Sequence, residues 1–489
     1  MSDTKKQLAS GVLYTAIAKY AGILISIVIT GVLSRLLTPD DFGTIVPVMV
    51  LVSFFSILGD IGIGPAIIQN KDFTKEDTDS VFTFTIIIGG ILAVLFFFSS
   101  WTVAAIYESE VFVSLCQLLS VSLFFFCAGV VPNALLYKEK KFRFLAIRSF
   151  VVQLIAGAMA ILAAFLGAGL YALVIQSIVS SIFLFIISYR EVRLKFRFLH
   201  IDWAPLKKIR SFSSYQFLFN ILNYFSVNLD KLIINKYLGA SQLGYYDKSY
   251  KLMQMPLQNI PYIITPVMHP IFSGMQDDLE RMRINYTKVI KLLAFIGFPL
   301  SVLLFFAGRD IIFILFGAQW EASVPVFQLL ALSVGFQIIL STSGSIFQSA
   351  GRTHFLFLCG LLSTLTIVIA TLAGVFVFQT LEAIGALLSI AFTINFFITF
   401  SIMFCVLFKA GITPFIKQIA SPILLSLLLL VILYAMNPFA ENLNVIVSLI
   451  VKGGVAMGVT TVYLQLTRAY DVLGKAREVM AKFRNRNRR

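Results

Sequence analysis

Long apolar runs follow one another along the chain, separated by short polar turns. AGILISIVITGVL (21–33) and SPILLSLLLLVILYA (421–435) are typical, and neither alternates at every second residue as a barrel wall would. A helix needs about 20 residues to cross the hydrocarbon layer. That layer offers the backbone no water, so an apolar run crossing it has to bond to itself as a helix. The pattern predicts an all-α polytopic membrane protein with 14 transmembrane helices. They lie near 8–36, 42–69, 78–106, 111–137, 144–166, 169–189, 211–238, 241–272, 286–307, 321–349, 354–377, 382–408, 418–436 and 443–466. The seventh and eighth are the least regular, because they carry charge.

Composition agrees. Of 489 residues 58% are hydrophobic and 13% charged, where a soluble chain carries about 25% charged. The leader MSDTKKQLASG runs directly into a helix too long for a cleavable signal, so the first helix is expected to stay. Cys116, Cys127, Cys359 and Cys405 are dispersed in apolar runs and read as small core residues. His200, His269 and His354 are isolated, so no metal spacing and no nucleophile–base pattern emerges. A hydrolase or metalloenzyme has no basis here, and no cofactor or metal is expected.

Charge sets the orientation. With the N-terminus inside, about 30 of the 39 Lys and Arg residues fall in cytoplasmic segments such as KEKKFR (138–143) and the tail beyond Arg468. TPDD, YESE, GAG, GASQ and QTLE become short outer turns. Both termini are then cytoplasmic. The net charge of +15 follows mostly from this asymmetry. The basic tail AREVMAKFRNRNRR suits an anionic inner membrane face, and nucleic acid is not expected as a partner.

An internal repeat organises the chain. LSRLLTPDDFG (33–43) aligns with INKYLGASQLG (234–244) at an offset of 201, matching Arg35 to Lys236 and Gly43 to Gly244. CQLLSVS (116–122) aligns with FQLLALS (327–333) at 211. Six helices per copy leave both copies with the same topology, hence parallel repeats. The expected organisation is a six-helix lobe (1–190), a basic cytoplasmic linker (191–210), a second six-helix lobe (211–408), two additional helices (409–466) and a basic tail (467–489). Two like-oriented lobes around a central cavity are a transporter architecture.

LSRLLTPDDFG (33–43), GDIGIGPAIIQNKDFT (59–74), YLGASQLGYYDKSYKL (237–252), ITPVMHPIFSGMQDD (264–278) and ILFGAQWEASVPVFQLLAL (314–332) resemble one family in order and spacing. It is the polysaccharide-type (Wzx-like) flippases of the multidrug/oligosaccharidyl-lipid/polysaccharide exporter superfamily. The nearest resemblance is to flippases for colanic-acid, O-antigen, exopolysaccharide and teichuronic-acid units. It implies movement of an undecaprenyl-pyrophosphate-linked oligosaccharide between leaflets by alternating access, around a cavity that is often cationic. It also implies lipids, a polysaccharide polymerase and other envelope-synthesis proteins as partners.

Charges inside spans are costly, about 2.5–3.5 kcal/mol each on insertion scales, so they usually face protein or a wet cavity. Lys19, mid-span, is a candidate for the anionic substrate or for an ion pair with a carboxylate such as Asp60. Asp60, in GDIGIGP, is a hinge or ion-coupling candidate, or simply marks an irregular helix end. Arg148 either snorkels to the inner headgroups or reads pyrophosphate at the cytoplasmic mouth. Asp230, Lys231, Asp247, Lys248 and Lys251 sit at matched depths on the two helices around GASQ. The lysines either line the cavity or pair with Asp230 and Asp247, which double as gating or ion-coupling candidates. Gln216, Asn220 and Asn223 share one helix face and suit either sugar hydroxyls or interhelical hydrogen bonds. Lys452, outside the repeat, ranks low for substrate.

The main rival is a cation-coupled multidrug antiporter of the same superfamily. Six embedded bases against three embedded acids favour an anionic cargo instead. A membrane glycosyltransferase would need a long outer loop, and none is seen. A scaffold in an envelope-synthesis complex is the fourth reading.

Overall fold

The computed structural model describes residues 3–60, 62–70, 73–196, 224, 227–440 and 442–469, with side chains except at 3–18, 262–267 and 269–270. Those residues are helical almost throughout, with no strand among them. Contacts divide the chain into two compact units, Met1–Asp247 with Leu315–Gln319, and Lys248–Ile314 with Trp320–Arg489.

The first unit holds α1 (Asp3–Leu36), α2 (Pro39–Asp60), α3 (Ile63–Gln69), α4 (Lys75–Tyr107), α5 (Val111–Lys138), α6 (Phe142–Phe165), α7 (Tyr171–Val192) and α8 (227–238). Its helix starts follow local chemistry. Thr38 and Asp41 form reciprocal bonds, Thr38 N to Asp41 Oδ2 at 2.8 Å and Asp41 N to Thr38 Oγ1 at 3.2 Å. Pro39 follows at the first helical position, where its missing N–H costs nothing. Thr74 and Asp77 repeat the device at α4.

Helix α5 is the centre of this unit, packed by α4, α7, α2 and α3. Leu115, Cys116, Leu119, Leu123 and Cys127 of α5 meet Val48 and Val52 of α2, Phe96 and Val103 of α4, and Val174 of α7. Cys116, Cys127 and Cys359 are buried, as their apolar surroundings predict, whereas Cys405 is exposed. Between α2 and α3 the chain breaks in GDIGIGP. Gly62 takes φ +71°, a left-handed conformation open to glycine at little cost.

The second unit contains most of α9 (Ala240–Ser273), then α10 (Leu279–Phe306), α11 (Gly308–Leu315), α12 (Ser323–Ala331), α13 (Val334–Leu340), α14 (Ser343–Ser349), α15 (Thr353–Ala373), α16 (Leu381–Ser401), α17 (Thr413–Ala440) and α18 (Val445–Leu466). Here α10 is central, touching α12, α13, α17 and α18. Val302 and Phe306 of α10 pack with Leu429 and Leu433 of α17 and Ala456 of α18, which attaches the two additional helices.

Among the described residues eleven helices are long and apolar enough to cross a membrane, or twelve with the bent pair 323–331 and 334–349 as one span. The expected 14 include two segments outside that set. Most of 211–238 lies outside the described residues. The 241–272 segment is the 34-residue helix α9, which carries Asp247, Lys248 and Lys251. The expected single span 321–349 is bent by 48°. Polar residues explain the bend. Ser333 Oγ donates back to Leu330 O at 2.7 Å, and Gly335 N–H leaves the helical ladder for Ser301 Oγ at 2.7 Å. Its repeat mate, α5, is unbroken.

Candidate functional site: two repeated turns, a buried charge cluster and an arginine cavity

The two copies of the repeated turn meet inside the first unit. A Cβ on Gly43 would overlap the carbonyl of Ala240, and a Cβ on Gly244 would overlap the carbonyl of Pro39. At the offset of 201, Pro39 is equivalent to Ala240 and Gly43 to Gly244. The contact is therefore self-complementary, each turn giving the other the same surface. Ser241 Oγ donates to Asp40 Oδ1 at 3.0 Å, and Asn235 Nδ2 to Gly43 O at 3.1 Å.

The flanks follow the same pseudosymmetry. Arg35 Nη1 donates to Leu315 O at 3.2 Å, and Gln319 Nε2 donates to Leu37 O at 3.0 Å and to Ser34 O. On the other flank Lys236 Nζ meets Glu108 Oε1 at 2.7 Å, and the Tyr107 hydroxyl donates to Leu232 O at 3.4 Å. Arg35 corresponds to Lys236, and Gln319 to Glu108 at the offset of 211. Lys236 holds the exposed Glu108 carboxyl below the ordinary carboxylate range, chiefly through this hydrogen bond.

Below the turns sits the charge cluster. Asp230 is buried and accepts from the Tyr246 hydroxyl at 2.6 Å and from Lys231 N–H at 2.8 Å. Lys231 Nζ donates to Asn228 Oδ1 at 3.2 Å. Asp247 and Lys248 are each only 2% exposed. Lys248 Nζ lies 5.1 Å from the ring centroid of Trp320, a cation–π contact that leaves it facing protein. Lys251 is exposed, and Lys19 is half-buried on α1. Gln216, Asn220 and Asn223 lie outside the described residues.

At the opposite end of the first unit, a cavity of about 350 Å³ brings Asp60 and Arg148 to common walls. Asp60 Oδ1 accepts from Gly64 N–H at 3.1 Å, so its partner is the helix break and not Lys19. Arg148 reaches Asn133 Oδ1 at 3.1 Å and the hydroxyl of Ser188. These two acceptors turn its guanidinium toward α5 and α7. Asn133 and Ser188 carry no sequence signal of this role, since a lone amide and a lone serine in apolar helices are common.

Lys452, ranked low from the sequence, is structural. It lies 2.8 Å from Asp310 Oδ2, which also accepts from Ser448 Oγ at 2.8 Å. Asp310 escaped notice because it follows Arg309 at a helix end and reads as a surface charge.

Residues 32–325 match the family described as polysaccharide biosynthesis protein. The teichuronic acid biosynthesis protein TuaB of Bacillus subtilis (strain 168) is 26% identical over 96% of this chain and 97% of its own. The lipopolysaccharide biosynthesis protein WzxC of Escherichia coli (strain K12) is 24% identical over 88% of each chain. Among solved structures, the lipid II flippase MurJ in an inward closed conformation superposes with a TM-score of 0.71 at 14% identity. That match covers 93% of this chain and 99% of MurJ. At that identity the likeness shows the fold. With the family model spanning more than half of its length, the chain belongs to the polysaccharide biosynthesis protein family.

Proposed function

We propose that the protein carries oligosaccharide repeat units, linked through pyrophosphate to undecaprenol, across the bacterial cytoplasmic membrane for surface polysaccharide synthesis. The observation that carries this reading is the self-complementary packing of the two repeated turns, in a chain of the polysaccharide biosynthesis family. Lobes 1–190 and 211–408 then rock relative to each other, opening their cavity to one side at a time. The turn end faces outward and both termini face the cytoplasm, a reading the Lys and Arg bias of the loops supports.

In this mechanism Lys19, Lys231 and Lys251 supply cationic contacts for pyrophosphate or acidic sugar. Gln216, Asn220 and Asn223 supply hydrogen bonds to sugar hydroxyls. Lys248, held on Trp320 in this conformation, joins them when the turn contact opens. Asp230 and Asp247 act as gating carboxylates beside it. A point charge under a multivalent anion favours binding without demanding one sugar geometry. Asp60 and Arg148, the remaining ion-coupling and substrate candidates, line a cavity of the first unit.

The test is a deletion strain complemented in trans. Loss of the protein leaves lipid-linked repeat units accumulating in the inner leaflet, and the wild-type chain clears them. A chain with Lys19, Lys231, Lys248 and Lys251 all changed to Gln inserts normally and does not. Drug sensitivity with intact polysaccharide output would assign the chain to cation-coupled antiport instead.

A further inference from the structure

We propose that the cavity shared by Asp60 and Arg148 is a headgroup site for a zwitterionic phospholipid, with the phosphate on Arg148 and the ammonium on Asp60. The site goes beyond the transport reading and does not rest on it. Arg148 is oriented by two neutral acceptors, Asn133 Oδ1 at 3.1 Å and the Ser188 hydroxyl, and forms no ion pair among the described residues. Its Nε is buried with no acceptor. Asp60 uses one oxygen for Gly64 N–H. Its other oxygen meets no donor among the described residues.

Two opposite charges thus face one cavity of about 350 Å³ without touching. Buried charges gain most by pairing, so a cavity that keeps them apart suits a ligand that pairs with both. A phosphate diester accepts from a guanidinium fork, and a primary ammonium donates to a carboxylate. An aminoethyl phosphate headgroup carries the two together. Apart from Ser181 and Tyr137 the remaining walls are apolar, including Phe125, Leu184 and Phe185. The exposed Ile68, Phe126 and Tyr137 give acyl chains an apolar rim.

Depth agrees. Arg148 lies six residues beyond Phe142, the first residue of α6, or about 9 Å along the axis at 1.5 Å per residue. The headgroup zone of a bilayer is about 5–8 Å deep on each side. Its guanidinium is held by Asn133 and Ser188, five and four residues from the last residues of α5 and α7, or about 6–8 Å along the axis, so a phosphate on it sits near headgroup level. A polyprenyl phosphate has the phosphate but no ammonium, and leaves Asp60 unused.

The purified full-length protein, incubated with equal amounts of phosphatidylethanolamine, phosphatidylglycerol and polyprenyl phosphate, is assayed by native mass spectrometry for retained lipid. Wild type is expected to hold phosphatidylethanolamine over phosphatidylglycerol by about tenfold, the size of one charge-assisted hydrogen bond. Asp60→Asn abolishes that preference while phosphate lipids still bind. Arg148→Gln lowers retention of both phospholipids. Asn133→Asp, which sets a carboxylate on the guanidinium in almost the same volume, does likewise, and serves if Arg148→Gln fails to fold. Equal retention of the two phospholipids by wild type, a preference that survives Asp60→Asn, or polyprenyl phosphate displacing phosphatidylethanolamine would each overturn the proposal.

Discussion

Asp310 and Lys452 are 142 residues apart and meet at 2.8 Å with almost no exposure. Lys452 also donates to Phe306 O at 3.0 Å, so its charge is bound on two sides. Removing one partner leaves a buried charge uncompensated, at a cost of about 3–5 kcal/mol. Asp310→Leu or Lys452→Met alone is expected to lower the melting temperature of the purified protein sharply. The double variant should recover most of the loss, because an apolar pair replaces a buried ion pair at little net cost. Additive losses in the double variant would contradict the pairing.

Glu108 behaves differently because it is exposed. Its folded pKa is depressed by Lys236, so the pair's contribution is present above the unfolded pKa and fades as pH falls through the folded value. Carbon-13 NMR of the labelled carboxyl should place its midpoint below an ordinary glutamate, and Lys236→Gln should return it there. An unchanged midpoint in that variant would remove Lys236 as the cause.

Among the elements, the turns carry the most information. LSRLLTPDDFG and INKYLGASQLG align in the sequence, and the structure puts their glycines on each other's backbone. Gly43→Leu or Gly244→Leu is expected to cost about 1–3 kcal/mol or more through overpacking. Adding the second substitution should cost less than the first, since the contact is already open. Equal, additive losses in thermal melting would mean the turns do not share one interface. At the α2–α3 break, Gly62→Ala should cost about 1–2 kcal/mol, because alanine pays the left-handed penalty. No change in melting would mean that the break tolerates any residue.

The helices were legible because apolar periodicity and charge report directly on lipid contact. Most boundaries of the described spans fall within a few residues of their expected places, as with α7 at Tyr171–Val192 against 169–189. The bend in 321–349 was not legible. Ser333 and Gly335 look unremarkable until a facing helix supplies Ser301 as an acceptor. The same holds for Arg148, whose neighbours Asn133 and Ser188 come from two other helices. Hydropathy ranks residues by solvent and says nothing of which helix faces which.

At the scale of the whole molecule, a self-complementary contact between repeated turns sits close to Lys231 and Lys236 in a chain of the polysaccharide biosynthesis protein family. The proposed cargo, a lipid-linked oligosaccharide, has to cross the membrane on this protein. The most direct measurement is transport by the purified chain in sealed vesicles. These would be loaded in one leaflet with a fluorescent polyprenyl-pyrophosphate-linked oligosaccharide, with a membrane-impermeant lectin reporting its arrival in the other. Arrival is expected to depend on the protein and to be lost when Lys19, Lys231, Lys248 and Lys251 are all glutamine. Arrival at the same rate in protein-free vesicles, or undiminished arrival with the quadruple variant, would contradict it.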